Sequence, residues 1–234
     1  MAYEVTKDRY LIISDLQMPF EHPKALEFCK YLASHFKIDV NNYNVICVGD
    51  ETDQYYGGMW KKDINANHTA LSEIKETKEK LAPWFDAFPK MKLCTSNHGT
   101  RWQRLALESS IPSVLMRRYE EVLGCPDTWI WQKRWNINTK HPFTVEHGDD
   151  YGTQYPHVLA AMHNAKSTVI GHHHSIGGIE HIQTNGMRIW GCASGSLIDF
   201  EAYAFNYARS GKRKPVIGTN VILDSGAMPI WCPL

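Results

Sequence analysis

Five short apolar runs in this 234-residue chain each stop at side chains that bind metals or move protons. Tyr10 to Ser14 stops at Asp15-Leu16-Gln17, and Val45 to Val48 at Gly49-Asp50, with Asp53 three residues on. Met91 to Thr95 stops at Ser96-Asn97-His98-Gly99, Phe143 to Glu146 at His147-Gly148-Asp149, and Thr168 to Ile170 at Gly171-His172-His173-His174. Each signal is weak alone; Asp50 by itself is explained at least as well as the cap of a following turn or helix. Taken together they offer oxygen donors mixed with imidazoles and no thiolate. That set suits Mn²⁺, Fe²⁺ or Zn²⁺ better than a Cys-based structural zinc or an all-oxygen calcium site. It holds too many ligands for one tetrahedral ion. It fits two ions about 3.5 to 4 Å apart that share a carboxylate, a spacing that serves in-line displacement at phosphorus.

Positioning such residues requires buried strands that end together. Val45-Ile46-Cys47-Val48 fits a strand covered on both faces, and Asp50 then lies at its carboxyl end, where open α/β sheets place ligands. Pro23 is expected at the first position of a helix carrying Leu26, Cys29, Ala33 and Phe36, so the chain opens as a right-handed βαβ unit. Residues 54–66, with Tyr55, Tyr56, Gly57, Gly58 and Trp60, read as an aromatic loop that either holds substrate or plugs the core. From His68 to Phe88, Leu71, Ile74, Leu81 and Phe85 among many charges give an amphipathic helix whose charges need only solvent. A helix containing Arg101, Arg104, Arg117 and Arg118 is expected next, then Trp129, Trp131, Lys133, Arg134 and Trp135. Basic residues interleaved with aromatics can track a phosphate backbone and stack bases; a strand with its tryptophans in the core is the plainer alternative. Pro156 starts a helix with Val158, Leu159 and Met162 on its packed side. Beyond it, Asn185-Gly186 predicts a hairpin and Ser225-Gly226 a further turn, which together suggest a second, partly antiparallel sheet packed on the first. The run Lys212-Arg213-Lys214 reads as a solvated loop.

Composition narrows the function. Lys plus Arg and Asp plus Glu are 25 each, so the net charge of zero builds in no broad attraction to nucleic acid or membrane. The six cysteines form no C-x-x-C pair, Met1 to Tyr10 has no signal-peptide pattern, and no apolar run spans a bilayer. A reducing, cytoplasmic setting with buried thiols is expected. The oligomeric state is open.

In their order, the five motifs resemble those of the calcineurin-like metallophosphoesterase superfamily: D-x-H, G-D-x-x-D, G-N-H, a lone His after a strand, and G-H-x-H. The resemblance implies one such domain over 1–234, with an aromatic and basic insertion around 100–140. The implied fold is α/β (α+β), a four-layer αββα sandwich of two mixed β-sheets flanked by helices. It implies a first metal on Asp15, Gln17, Asp50 and His174 and a second on Asp50, Asn97, His147 and His172, with Asp50 as bridge. His98 would be the imidazole near the leaving group, Asp53 its orienting partner, and Arg101 the arginine near the phosphate. The implied activity is phosphoester hydrolysis by a hydroxide between two divalent ions, Mn²⁺ first, with Fe²⁺ or Zn²⁺ as alternatives. A phosphodiesterase or nuclease is preferred to a phosphomonoesterase, and a scaffold that has lost turnover is the reading from another class. Three departures bear on that choice. Gln17 replaces the usual His and biases its site toward a harder ion, Ser96 replaces Gly, and Gly99 stands where many members carry an acid. His173, between two implied ligands, is expected to point away from them.

Overall fold

The computed structural model describes residues 8–58, 62–64, 66–205 and 213–234. The first seven residues, Trp60 and Lys212 therefore lie outside the described part. Alternation along each strand divides the core. In β1 (Tyr10–Ile13) and β2 (Val45–Cys47), Leu11, Ile13, Val45 and Cys47 turn one way and Ile12 and Ile46 the other. Side chains along a strand alternate between faces, so a continuous apolar run means that both faces are covered. The first set packs under α1 (Ala25–His35) and α2 (Ala70–Ala87) through Cys29, Leu32, Leu81 and Trp84. The second set meets Phe143, Val145, Val169 and Cys192 of the other sheet.

The first sheet runs β11-β10-β1-β2-β3-β4, where β3 is Met91–Cys94, β4 Trp129–Gln132, β10 Gly218–Leu223 and β11 Met228–Pro233. The second runs β5-β6-β7-β9-β8, with β5 Arg134–Ile137, β6 Phe143–Glu146, β7 Ser167–Ile170, β8 Gly177–Thr184 and β9 Met187–Ser194. Both are mixed: β1 to β4 are parallel with β10 and β11 antiparallel beside them, and β6, β7 and β9 are parallel between antiparallel β5 and β8. On the outer face of the second sheet lies α5 (Pro156–Asn164), close enough that a Cβ on Gly191 of β9 would stand 2.4 Å from the His157 carbonyl oxygen. Helices, sheet, sheet and helix thus form an αββα sandwich. No helix among the described residues is long and apolar enough to cross a membrane.

Several expectations need correction. The helix after His98 stops early: α3 spans Arg101–Glu108, and Arg117 and Arg118 precede a separate α4 (Tyr119–Leu123). Ser110 turns left-handed at φ 58° and Pro112 follows, which ends the first helix. Lys24, not Pro23, immediately precedes α1, and the proline sits in the turn before it. On α5 the buried residues are Pro156, His157, Ala160 and Ala161; Val158 and Leu159 are half-buried, Leu159 packing beside Tyr151 and Ile170, and only Met162 of the expected three is exposed. The 218–233 hairpin joins the first sheet beside β1, and only the 177–194 hairpin joins the second. The tryptophan-rich stretch is two strands, one in each sheet. Its indoles donate inward: Trp129 to Phe88 O at 2.9 Å, Trp131 to Glu51 Oε1 at 3.3 Å and Trp135 to Leu93 O at 2.9 Å. They are used in the fold rather than offered to bases.

The six cysteines are free thiols, five of them buried. Trp231 of β11 lies where the two sheets meet, against Gly177 of β8, Gly195 and Gly218; a Cβ at Gly177 would stand 2.7 Å from its ring and 2.8 Å from Val216 Cγ1. Gly177→Ala is therefore expected to lower stability by about 1–3 kcal/mol, the usual cost of overpacking, read as a lower urea midpoint at unchanged slope.

Candidate metal centre

All five motifs sit beyond the carboxyl ends of parallel strands, three in the first sheet and two in the second. The sandwich brings those ends together. Leu16 and Gln17 both donate their N–H to the Asp50 carbonyl, at 3.1 and 2.8 Å, which folds the loop after β1 onto the loop after β2. Gly171 N–H donates to the His147 carbonyl at 2.9 Å and ties the two loops of the second sheet. His172 N–H donates to Asp15 Oδ2 at 2.7 Å and joins one sheet to the other. Gln17, Asp50 and His172 take left-handed backbone conformations, with φ 48°, 49° and 63°. Such strain costs about 1–3 kcal/mol per residue and gathers at functional sites.

Two groups of potential ligand atoms result, Asp50–His147–His172 and Asp15–Asp50–His174, each with its atoms within 4.8 Å of one another. Asp50 belongs to both. Asn97 Oδ1 lies 2.7 Å from His147 Nε2 and 3.1 Å from His172 Nδ1, which places it with the first group. Gln17 Nε2 lies 3.3 Å from Asp50 Oδ2 and 3.2 Å from His174 Nε2, which places its amide with the second. The structure thus assembles all seven residues expected to hold metal. His173 belongs to neither group, and its ring is edge-on to His172 at 5.0 Å.

The chemistry of these donors fits a cation. His147 Nδ1 is 3.1 Å from the Val48 carbonyl, which can only accept, so a neutral ring carries its proton there. Its Nε2 lone pair then faces the Asn97 carbonyl oxygen, acceptor against acceptor, unless a cation stands nearby or the ring is charged. Burial pushes the His147 pKa down, but the Asp50 and Asp15 carboxylates outweigh it and the net direction is up. For Asp50, burial raises the pKa, and His147 and His98 overturn that to hold it below the usual carboxylate range. His172 is lowered to about 4 by burial and by His147 beside it, which keeps it a neutral ligand. Asp15 Oδ1 and Gln17 Oε1 are buried without a hydrogen-bond partner. Turning the Gln17 amide by half a turn would aim its carbonyl oxygen at Asp50 and His174, where a cation would satisfy all three.

His98 flanks this cluster. Its Nδ1 is 2.8 Å from Asp53 O and 3.0 Å from Asp53 Oδ1, and its Nε2 is 3.8 Å from Asp50 Oδ2. Burial lowers its pKa, Asp50 and Asp53 raise it, and the net direction is up. Arg101 is held rather than free: Nη1 donates to Asp53 O at 2.6 Å and Nη2 lies 2.7 Å from His98 Nε2.

Three supporting residues escaped the sequence reading. Ser96 Oγ accepts the N–H of Asp50 at 3.0 Å and of Gly99 at 3.1 Å, so the residue that departs from Gly ties the second and third loops. Glu73 is not solvated; it is 3% exposed and accepts the N–H of Tyr55 and Tyr56 at 2.6 and 3.2 Å, bracing the turn after Asp53. Tyr55 packs edge-on against Phe20 at 6.3 Å, so this part of the aromatic loop covers the core. Arg213, from the run read as a solvated loop, lines a cavity of about 380 Å³ together with Gln17, Asp50, His98 and His174. A basic run carries no signal for such a location.

No protein-family model matches this chain, and no curated protein matches it. Among solved structures, a single-mutant Vps29 from Entamoeba histolytica is similar at 11% identity, over 97% of this chain and 99% of that one, with a TM-score of 0.41. A likeness at that level assigns no function.

Removing the Ser96 hydroxyl strands two backbone donors. Ser96→Ala is expected to cost about 1–3 kcal/mol, the penalty for an unsatisfied buried polar group, measured by chemical denaturation of the metal-free protein.

Proposed function

We propose that this chain is a calcineurin-like, two-metal phosphoesterase that acts on phosphodiesters. The observation that carries the reading is the pair of ligand groups sharing Asp50, with unpartnered oxygens on Asp15 and Gln17 beside them. Asp15, Gln17, Asp50 and His174 would hold one ion, and Asp50, Asn97, His147 and His172 the other. The Gln17 carbonyl favours a hard ion such as Mn²⁺ at the first of these. When bound, the ions would lower the pKa of water for attack at phosphorus and neutralise developing charge.

The chain's own residues supply the rest. Asp53 accepts a hydrogen bond from the Nδ1–H of His98 and fixes the ring, leaving Nε2 facing the site. Arg101 Nη2 caps that nitrogen while Nη1 stays on Asp53; once the cap shifts, Nε2 takes up a proton from solvent and passes it to the departing oxygen. The diester preference follows from charge. Arg101 is committed to Asp53 and His98, and among the described residues lining the cavity Arg213 is the one permanent cation. A phosphodiester carries a single negative charge, whereas a monoester approaches two above its second pKa near 6.

A scaffold without turnover is the second reading, and the inward-facing Gln17 amide nitrogen in place of an imidazole favours it. Metal and turnover measurements separate the two. Manganese titration by calorimetry, with elemental analysis, is expected to give two equivalents in the wild type and fewer than one tightly held equivalent in Asp50→Asn. Full metal content with no hydrolysis of bis(4-nitrophenyl) phosphate would favour the scaffold.

His98→Ala is expected to keep both equivalents and to lose roughly a hundred- to ten-thousandfold in kcat, the usual worth of a general acid. Unchanged turnover in that variant, with metal content verified, would remove His98 from the chemistry.

A further inference from the structure

The cavity beside the candidate metal centre has two chemically different sides. One is the ligand cluster with His98. The other is apolar, formed chiefly by Phe200 and Pro215 because Ile198 and Phe205 are 1% and 2% exposed; Arg213 also lines the cavity. An enzyme that recognised phosphate alone would need no apolar wall next to its ligands. The volume, about 380 Å³, lies at the small end of pockets for organic ligands, roughly 300–1,000 Å³. It suits one nucleotide-sized group better than a wrapped polymer, in keeping with the zero net charge of the chain.

Phe200 is the residue of that wall best placed to recognise a ring. It is half-buried, anchored on the cluster of Phe20, Ile198 and Phe205, and the Lys214 ammonium stands 5.5 Å from its ring centroid. Packing on that cluster fixes the ring, and the Lys214 ammonium stands over it, where an incoming base would take its place. Flat π-systems stack on such a side chain whatever their hydrogen-bonding edges, because every base has a π-face.

We infer that this cavity binds phosphoesters carrying a nucleoside, with the base against Phe200 and an anionic phosphate oxygen against Arg213. The inference rests on the phosphoesterase reading for its chemistry, but its recognition half is separately measurable. Aromatic stacking and a guanidinium contact act on different parts of the ligand. They should fail independently when each side chain is replaced.

The test is calorimetry of the Mn²⁺-loaded protein with thymidine 5′-monophosphate and with 2-deoxyribose 5-phosphate, which has the same sugar and phosphate but no base. The nucleotide is expected to bind at least about tenfold more tightly, within the range of one base stacked on one aromatic side chain. In Phe200→Ala that ratio should fall below about threefold. Phe200→Leu, which keeps apolar bulk for the fold but has no ring face, should lower it in the same direction. Arg213→Gln should weaken both ligands about tenfold and leave the ratio intact, as expected for a hydrogen bond to a charged group at a solvent-exposed site. Equal affinity for the two ligands in the wild type, or a ratio untouched by either Phe200 replacement in folded protein, overturns the inference. Hydrolysis of bis(4-nitrophenyl) phosphate is followed in parallel. Base preference without hydrolysis would sink the phosphoesterase reading while leaving the base-binding wall in place; hydrolysis without base preference would do the reverse.

Discussion

Two carboxylates taken out of water govern the rest of the molecule. Asp15 is fully buried and Asp50 is 1% exposed, and both are surrounded by imidazoles rather than solvent. An unpaired buried carboxylate costs several kcal/mol even after relaxation, whereas each hydrogen bond to a charged group returns about 1.5–3 kcal/mol. The backbone is arranged to make that return. His98 N–H donates to Asp50 Oδ1 at 3.2 Å and His172 N–H to Asp15 Oδ2 at 2.7 Å, each from a loop of a different strand. The compensation is incomplete at Asp15 Oδ1, which has no hydrogen bond and only the His147 ring at 3.9 Å. A site that buries so much negative charge, and leaves one carboxylate oxygen without a hydrogen bond, could accept positive charge from outside the chain.

That requirement explains the sandwich. No single sheet edge could surround both carboxylates, because neighbouring loops on one edge leave the opposite side open to water. Here β1, β2 and β3 bring Asp15, Asp50, Asn97 and His98 from one sheet, while β6 and β7 bring His147, His172 and His174 from the other. The apolar layer between the sheets, with Ile12, Ile46, Val48, Val145 and Val169 at zero exposure, sets how closely the two edges approach. Close approach leaves no room for side chains at the contact: a Cβ at Gly171 would stand 2.4 Å from Val48 Cγ2 and 2.6 Å from Asp15 Oδ1. The left-handed turns at Gln17, Asp50 and His172 are tolerated because this packing holds both ends of each loop.

What the sequence made legible was local. An apolar run followed by a ligand-type residue is contained in a few neighbouring positions, so all seven candidate ligands could be named before any contact was known. The Asn185-Gly186 hairpin was legible for the same reason, with Gly186 at φ 89° and Thr184 paired to Met187. Sheet membership was not, because the 218–233 hairpin is assigned by what β1 leaves uncovered, a partner two hundred residues away. The tryptophans of 129–135 had the composition of a stacking surface, but the acceptors that turned them inward, Phe88 O, Glu51 Oε1 and Leu93 O, lie elsewhere in the chain. Glu73 shows the same limit from the polar side: one carboxylate among several on α2 finds two backbone donors across a loop, and nothing in its own helix marks it.

Ser96 and Gly99, two of the positions that differ from the motifs this sequence resembles, work together. Ser96 Oγ lies where it accepts the Gly99 N–H, and a Cβ at Gly99 would come within 3.2 Å of that oxygen. An acidic side chain at 99 would therefore crowd the hydroxyl, whereas glycine at both positions would leave the N–H groups of Asp50 and Gly99 without this acceptor. Serine at 96 with glycine at 99 avoids the conflict and anchors the His98 loop on a side chain before the histidine. The same hydroxyl holds the backbone of Asp50, so the residue shared by both ligand groups and the loop that carries His98 are positioned by one oxygen. The His98 ring is then held by Asp53 at Nδ1 and by Arg101 at Nε2, and its N–H by Asp50.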